Sequence, residues 1–212
     1  MRSQRDWYAW HAGYDDPSSL LSDRLRVVQR LIEDWLDATA PRRVTVVSAC
    51  AGDGRDVLEV LEHRADADRV QATLVESDPR LVERAVEHIE RAGLTGISVR
   101  CTDAGNTSAY AEAAPADLVL LCGIFGNISD EDVHRTIAAA PQLCQPGARV
   151  LWTRHRRTPD LTPRIRRWFA EHGFGEEGFV APDHAMYAVG AHRFHGRPQA
   201  LEPGRRLFSF LG

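Results

Sequence analysis

Lysine is absent from the 212 residues: all 26 basic residues are arginine. That reads as the codon bias of a GC-rich genome and assigns no function. A basic excess is missing too, because 30 acidic residues leave a formal net charge of −4 and an isoelectric point near 6.1. This balance argues against a general binder of nucleic acid or of anionic membrane surfaces. There is no CxxC pair; Cys50, Cys101, Cys122 and Cys144 are far apart and lie in or just after apolar runs, as buried free thiols of a reducing compartment do. His192 and His195 are three apart with no third ligand in view, so no metal site is expected. Long apolar runs are lacking as well. The longest, Leu118–Ile128, is broken by two glycines and an asparagine and is too short to span a bilayer. The opening MRSQRDWYAWHAGYDD has no apolar signal-peptide stretch, so a cytoplasmic protein without a membrane partner is expected.

What is present suits one α/β domain with an appendage. The apolar fraction of 43% supplies a sizeable core. Asp16-Pro17 reads as an N-cap and first helical residue. Leu21, Leu25, Val28, Ile32 and Trp35 then step by four, three, four and three, one face of an amphipathic helix that ends before Pro41. Residues 1–40 are therefore expected to form an aromatic segment and helix that cap a core domain over 41–212. From Val44 strand and helix patterns alternate: strands at 44–49, 70–76, 97–101, 117–122 and 149–153, with helices near 55–64, 79–92, 107–113, 129 onward and 162–172. Runs at 174–180 and 185–194 read as strands without a clear helix between them, and 206–210 as a short last one. The expected fold is α/β, a doubly wound, mostly parallel sheet with antiparallel C-terminal strands. Ligands of such sheets sit beyond the carboxyl ends of the strands.

Three strand ends carry residues suited to a nucleoside. Val44–Val57, VTVVSACAGDGRDV, is strand, glycine turn and helix; Gly52 and Gly54 permit unusual φ and close ligand approach beneath a helix N-terminus. Val57 stands where a dinucleotide fingerprint has its third glycine, so that motif is incomplete, and an ordinary strand-to-helix connection is the alternative reading of the turn alone. Glu76 ends the second strand, 24 residues beyond Gly52, where an acid can accept from both hydroxyls of a ribose. Asp78 reads instead as the cap of the next helix. After the third strand, Asp103 can accept from an exocyclic amine, or is a turn aspartate.

In this order of elements, over about residues 42–194, the chain resembles the class I S-adenosylmethionine-dependent methyltransferases; the tract Leu118–Ser129 is similar to actinobacterial methyltransferase-like proteins. The fold the resemblance implies is a Rossmann-like seven-stranded sheet beneath an N-terminal helical lid. Its first strand ends in D/E-x-G-x-G-x-G; the matching residues here are Ser48, Cys50, Gly52 and Gly54, so the acid and the first glycine are replaced. The resemblance implies S-adenosylmethionine as cofactor and S-adenosylhomocysteine as product. It places Cys50, Ala51, Gly52 and Gly54 along the cofactor, Glu76 with Ser77 at the ribose, Asp103 with Ala104 at the adenine, and Cys122-Gly123 beside the sulfonium. Methyltransferases acting on base amines carry an Asn/Asp-Pro-Pro-Tyr/Phe motif after the fourth strand; the proline-free Gly123–Ile128 loop disfavours a nucleic-acid acceptor.

The expected reaction is methyl transfer to oxygen or nitrogen of a small acceptor. Tyr8, His11 and Tyr14 are candidates for a lid over the site, with His11 or His155 as general base. Tyr14 and Asn127 complete the catalytic candidates. Tyr8, Phe125 and Arg154 are candidates for substrate contact, Arg154 and Arg156 because they follow the fifth strand and could recognise an anionic acceptor. Two other readings stay open: a catalytically silent nucleoside-binding or scaffold protein, and an NAD-dependent oxidoreductase, against which Val57 and the antiparallel finish argue.

Overall fold

The computed structural model describes residues 11–211. Tyr8 lies outside them. The first long helix, α1 (Leu20–Thr39), starts three residues later than Asp16-Pro17 suggests. Ser19 is its cap, its Oγ accepting from Ser22 N at 3.1 Å, whereas Asp16 is spent on the turn before it, accepting from Ser18 N and Oγ. Val28, Ile32 and Trp35 are buried as the spacing predicts.

Strand β1 (Val44–Ala49) leads to helix α2 (Arg55–Glu62), β2 (Val70–Glu76) to α3 (Pro79–Ala92), and β3 (Ile97–Cys101) follows. Beyond a short 3₁₀ turn at Thr107–Tyr110 come β4 (Ala116–Leu121), α4 (Asp130–Ala139), β5 (Cys144–His155), α5 (Thr162–Glu171), β6 (Phe174–Val180) and β7 (Tyr187–Phe194). The seven strands form one sheet in the order β3-β2-β1-β4-β5-β7-β6. β1 pairs parallel with both β2 and β4, β4 parallel with β5, and β7 antiparallel with β5 and β6. The expected strand at 206–210 is absent as a strand. Instead Arg206 and Phe210 make single bridges to Asn106 and Ile128, so the tail crosses the ends of β3 and β4 as a strap. Helix 107–113 is likewise reduced to the 3₁₀ turn.

The pleat sends alternate residues of each central strand to opposite faces, and the two faces bury different chemistry. Val44, Val46, Leu118, Leu120 and Leu151 meet Val28, Ile32, Trp35, Leu58 and Leu61 of α1 and α2 in a mainly aliphatic layer. Val47, Val119, Leu121, Val150 and Trp152 meet Phe125, Phe169, Phe174, Phe194 and Phe208 in an aromatic one. α1 is fixed to α2 by Gln29 Nε2, which donates to Arg55 O (3.1 Å) and Glu59 Oε2 (2.6 Å). Its C-terminal end is fixed by buried Arg69, which donates to Leu36 O (2.6 Å). Three of the cysteines are buried or half-buried, but Cys101, on the edge strand β3, is exposed.

Candidate functional site

Strand order reverses between β1 and β4, since β2 and β3 extend the sheet to one side and β5 onward to the other. A crevice at the carboxyl ends of those two strands is the geometric consequence. There the backbone between β1 and α2 turns through three left-handed residues: Cys50 (φ 53°), Gly52 (φ 60°) and Gly54 (φ 74°). A side chain in that region costs about 1–2 kcal/mol, and Cys50 is alone among the described non-glycine residues in adopting it. Position 50 is where the family pattern places its first glycine, so the cysteine keeps the loop's path at the expense of strain. Such strain is characteristic of ligand-binding turns. A Cβ at Gly52 would overlap Nε2 of His11, whose ring lies directly on the glycine.

Glu76 holds this turn in place. Its Oε2 accepts from Gly52 N (2.9 Å), and its Oε1 from Ser77 N (2.7 Å) and Asp78 N (2.9 Å). With Ser77 Oγ also donating to Oε1 at 3.3 Å, four donors converge on the carboxylate, three of them on Oε1 and one on Oε2, and the side chain is buried. Gly54, the left-handed N-cap of α2, packs against Leu58 and Leu74.

Two cavities lie beyond the strand ends. The smaller, about 60 Å³, is lined by His11, Tyr14, Arg24, Cys50, Ala51, Asp53, Arg55, Asp56, Cys122, Gly123 and Thr153 together with Leu25 and Val28. Asp53 and Arg55 close on each other, Arg55 Nε donating to Oδ1 and Oδ2 of Asp53 at 2.9 and 3.1 Å. Burial works against the Asp53 charge, but these hydrogen bonds outweigh it and hold the carboxyl below its usual range. The Arg55 guanidinium lies 5.1 Å from the centre of the Tyr14 ring, and Arg24 Nη2 donates to Tyr14 Oη at 2.6 Å. Asp56 is treated differently. It is 9% exposed; its Oδ1 accepts from Val57 N at 3.0 Å. Burial, reinforced by the nearby Asp53 charge, pushes its pKa up to about 7. Burial likewise raises the Cys122 thiol, with Asp56 adding to it.

The larger cavity, about 420 Å³, adjoins the first at Arg24 and is lined by Leu20, Leu21, Gly126, Asn127, His155, Arg157, Met186 and Tyr187. Its walls are apolar, with Leu20 and Met186 each 53% exposed, and its charged groups are all basic. Tyr187 Oη donates to Asp23 Oδ2 (2.6 Å), and Asp23 itself is not among the lining residues. Burial and then the neighbouring Arg154 lower the pKa of His155, so its ring is neutral at pH 7. Its Nδ1 accepts from Arg157 N at 3.3 Å, which leaves the proton on Nε2. Asn127 Nδ2 donates to Gly123 O at 2.7 Å, tying the loop after β4 back on itself.

The expected site residues therefore separate. Cys50, Ala51, Cys122, Gly123, His11 and Tyr14 line the small cavity with Gly52 at its edge, while Asn127 and His155 line the large one. Asp103 belongs to neither: it faces an open cleft with Thr102 and Asn106, pairs with Arg206 of the C-terminal strap, and accepts from Gly105 N at 2.8 Å. Ala104 is buried and its carbonyl accepts from Tyr110 Oη. Two substrate-contact expectations are corrected. Phe125 is fully buried between Trp152 and Phe169 in the aromatic layer. Arg154 is buried, donating to Phe125 O and lying 3.5 Å from Asp130, so its charge serves the fold. Arg156 is similarly engaged, donating to Pro182 O and Ala185 O. His192 is a core residue, its Nδ1 accepting from Trp152 Nε1 at 3.2 Å. Among the described residues no group of three or more His, Cys, Asp or Glu can hold a metal ion, and no helix is long and apolar enough to cross a membrane.

Arg24, Asp56 and Arg157 are the residues that sequence reasoning missed. A signal existed for one of them: Arg24 is three residues from Leu21 and four from Val28, on the stripe that should have been apolar. Asp56 reads locally as an ordinary acid in a helix's first turn.

A mostly parallel sheet with a switch-point crevice, a left-handed glycine turn and a buried acid ending β2 is a doubly wound α/β arrangement, in which ligands bind beyond the carboxyl ends of the strands. Residues 46–147 match the family model described as a methyltransferase domain. The fold is similar to that of an O-methyltransferase family protein from Burkholderia thailandensis, with TM-score 0.67 and 20% identity over 90% of this chain. The alignment spans 60% of that longer protein. It is also similar to magnesium protoporphyrin IX methyltransferase from Synechocystis PCC 6803, solved with bound S-adenosylmethionine. The TM-score there is 0.65 and the identity 14%, covering 91% of this chain and 92% of that one. An S-adenosylmethionine-dependent methyltransferase from Clostridium acetobutylicum gives 0.66 at 10% identity, covering 91% of this chain and all of the other (100%). At these identities the likeness is one of fold. No curated protein matches the chain by sequence.

Proposed function

We propose that this protein transfers the sulfonium methyl of S-adenosylmethionine to an oxygen or nitrogen atom of a small, amphipathic, anionic acceptor. The observation that carries the acceptor class is the larger cavity: Leu20, Leu21, Met186 and the Tyr187 ring offer apolar contact, Arg24 and Arg157 offer positive charge, and no acid is among its lining residues. Its volume of about 420 Å³ falls in the ordinary range for small-molecule sites.

The residues beside it fit the cofactor. The strained turn at Cys50–Gly54 exposes backbone where a Cβ is excluded at Gly52 by His11, and Glu76 Oε2, which accepts from Gly52 N, can accept a second bond from a ribose hydroxyl. When bound, S-adenosylmethionine supplies an electrophilic methyl whose displacement needs alignment more than acid–base help. Alignment can contribute roughly 7–11 kcal/mol. In this reading Gly123 and Thr153, joined by the Gly123 N–H to Thr153 Oγ1 bond of 2.9 Å, hold the junction between the cavities rigid. His11 and Tyr14, from the segment preceding α1, close over the glycine turn and exclude water. His155, neutral at pH 7 and hydrogen-bonded to the Gly126 backbone, lines the acceptor cavity; it takes a proton on Nδ1 only after its bond to Arg157 N is given up.

The test is turnover with methyl-labelled S-adenosylmethionine against paired acceptors: hydroxylated or aminated aromatic and medium-chain carboxylic acids, and the matching carboxamides. The acids are expected to yield S-adenosylhomocysteine and the amides little. Equal rates for both members of each pair would remove the anionic acceptor. Absence of S-adenosylhomocysteine binding in calorimetry would remove the cofactor.

A further inference from the structure

Exposed apolar side chains scattered singly over a surface need no explanation, whereas a cluster of them does. Among the described residues five large apolar side chains are exposed: Leu20, Val86, Met186, Phe210 and Leu211. Val86 lies apart, on α3. Leu20 and Met186, each 53% exposed, line the larger cavity and are at the same time open to solvent. Leu211 is 59% exposed and is held beside that cavity. Its N–H donates at 2.9 Å to the carbonyl of Asn127, another lining residue. Phe210 precedes it and bridges to Ile128. The exposed apolar surface is thus gathered at the mouth of one site.

The backbone fixes this exposure. Leu20 is the first residue of α1, directly after the Ser19 cap, whose Oγ also donates to Gly13 O at 2.7 Å. Met186 is held through its own carbonyl, which accepts from Arg156 N at 2.8 Å, while Arg156 Nη2 donates to Pro182 O and Ala185 O. The Tyr187 Oη to Asp23 Oδ2 bond then ties the residue after Met186 to the first turn of α1. Two apolar lips are joined across the mouth of a cavity whose charged lining is basic. An acceptor contained wholly inside leaves Leu20, Met186 and Leu211 in water. A chain that passes between the lips removes them from it, which is favourable in proportion to the apolar area covered.

We infer that the acceptor carries an alkyl chain that leaves the larger cavity between Leu20 and Met186 and runs toward Leu211. Leu20 and Met186 are then the residues that select for chain length. This rests on the anionic-acceptor reading given above, which seats the polar head against the basic lining, and adds the length and exit of the apolar part.

Calorimetry in the presence of S-adenosylhomocysteine tests it with hexanoate, octanoate, decanoate and dodecanoate, each below its critical micelle concentration. Affinity is expected to rise through the whole series by about two- to fourfold per methylene, the upper figure being full burial of a CH₂ group. Leu20→Ser combined with Met186→Ser should flatten that rise, weakening dodecanoate about tenfold more than hexanoate, with S-adenosylhomocysteine affinity unchanged. Both side chains are exposed, so the variant is expected to fold. Met186→Leu, which keeps the apolar surface, should retain the rise. A rise that stops at octanoate, or an equal slope in wild type and double variant, overturns the exit while the anionic acceptor stands. Octanamide binding as tightly as octanoate, with the rise intact, removes the anionic head and supports the exit. A flat series together with co-sedimentation on phosphatidylglycerol vesicles assigns the apolar mouth to a membrane surface and overturns the exit. Failure of the wild type to bind any of the acids overturns both.

Discussion

The two cavities share Arg24 and little else. The one at the glycine turn is small, bears both signs of charge and is bounded by backbone held in left-handed conformations. The one beyond β4 and β5 is about seven times larger (420 against 60 Å³), mainly apolar and basic. The difference is that between a site for a fixed ligand and a site for a variable one. An amphipathic anion needs contact area and one sign of field, which side chains from four separate elements supply loosely.

The comparison is broken most severely from behind. Phe169 stacks on Trp152 with ring centroids 6.2 Å apart and meets Phe125 at 6.5 Å; all three belong to the aromatic layer and none lines either cavity. Phe169→Ala is expected to cost about 3–5 kcal/mol by urea unfolding, with S-adenosylhomocysteine affinity of the folded fraction unchanged. A parallel loss of affinity would mean that the cavities depend on the aromatic layer.

A second effect of comparable size depends on pH and also avoids both sites. Burial is the main cause that lowers the pKa of His192 to about 4. The folded state therefore holds the ring neutral while the unfolded chain, with an ordinary value near 6.5, binds a proton first. Stability is complete above about pH 6.5 and is lost as pH falls toward 4, by up to about 3 kcal/mol. Urea midpoints measured across that range should fall steadily, and His192→Gln should flatten the slope. A slope that survives the substitution assigns the effect to other groups.

The smallest effect separates the cavities most cleanly. Arg157 is exposed and lines the larger one alone. Arg157→Ala should raise KM for a carboxylate acceptor about fivefold, within the ~1 kcal/mol of an exposed charge contact, without altering affinity for S-adenosylhomocysteine. A change in that affinity would merge the two sites into one.

Much of the sheet was legible from order alone. The runs at 44–49, 70–76 and 97–101 are strands with the expected bounds, and Asp78-Pro79 with Gly93 frames α3 as predicted. These features depend on neighbours in the chain, namely periodicity, caps and left-handed glycines. The misreadings have a common source. The 206–210 segment has strand-like residues, but its partners are 100 or 82 positions away, and only single bridges form. Arg154 follows the fifth strand as a ligand-contacting arginine would, yet Phe125 O and Asp130 reach it first. Phe125 lies in the right loop and points into the core.

By itself the sequence determined the alternation of strand and helix and the glycine turn, because each is settled by short-range sterics and by the period of apolar residues. Even Cys50, a departure in type, keeps the φ that a glycine would have. What the tertiary structure alone decided is which charges meet. Arg24 and Asp56 are 32 residues apart, and nothing local to either records the other. They come to one cavity because the aliphatic face of the sheet buries α1 and α2 side by side, and burial, being non-directional, leaves no trace in the spacing of the charged residues it carries along.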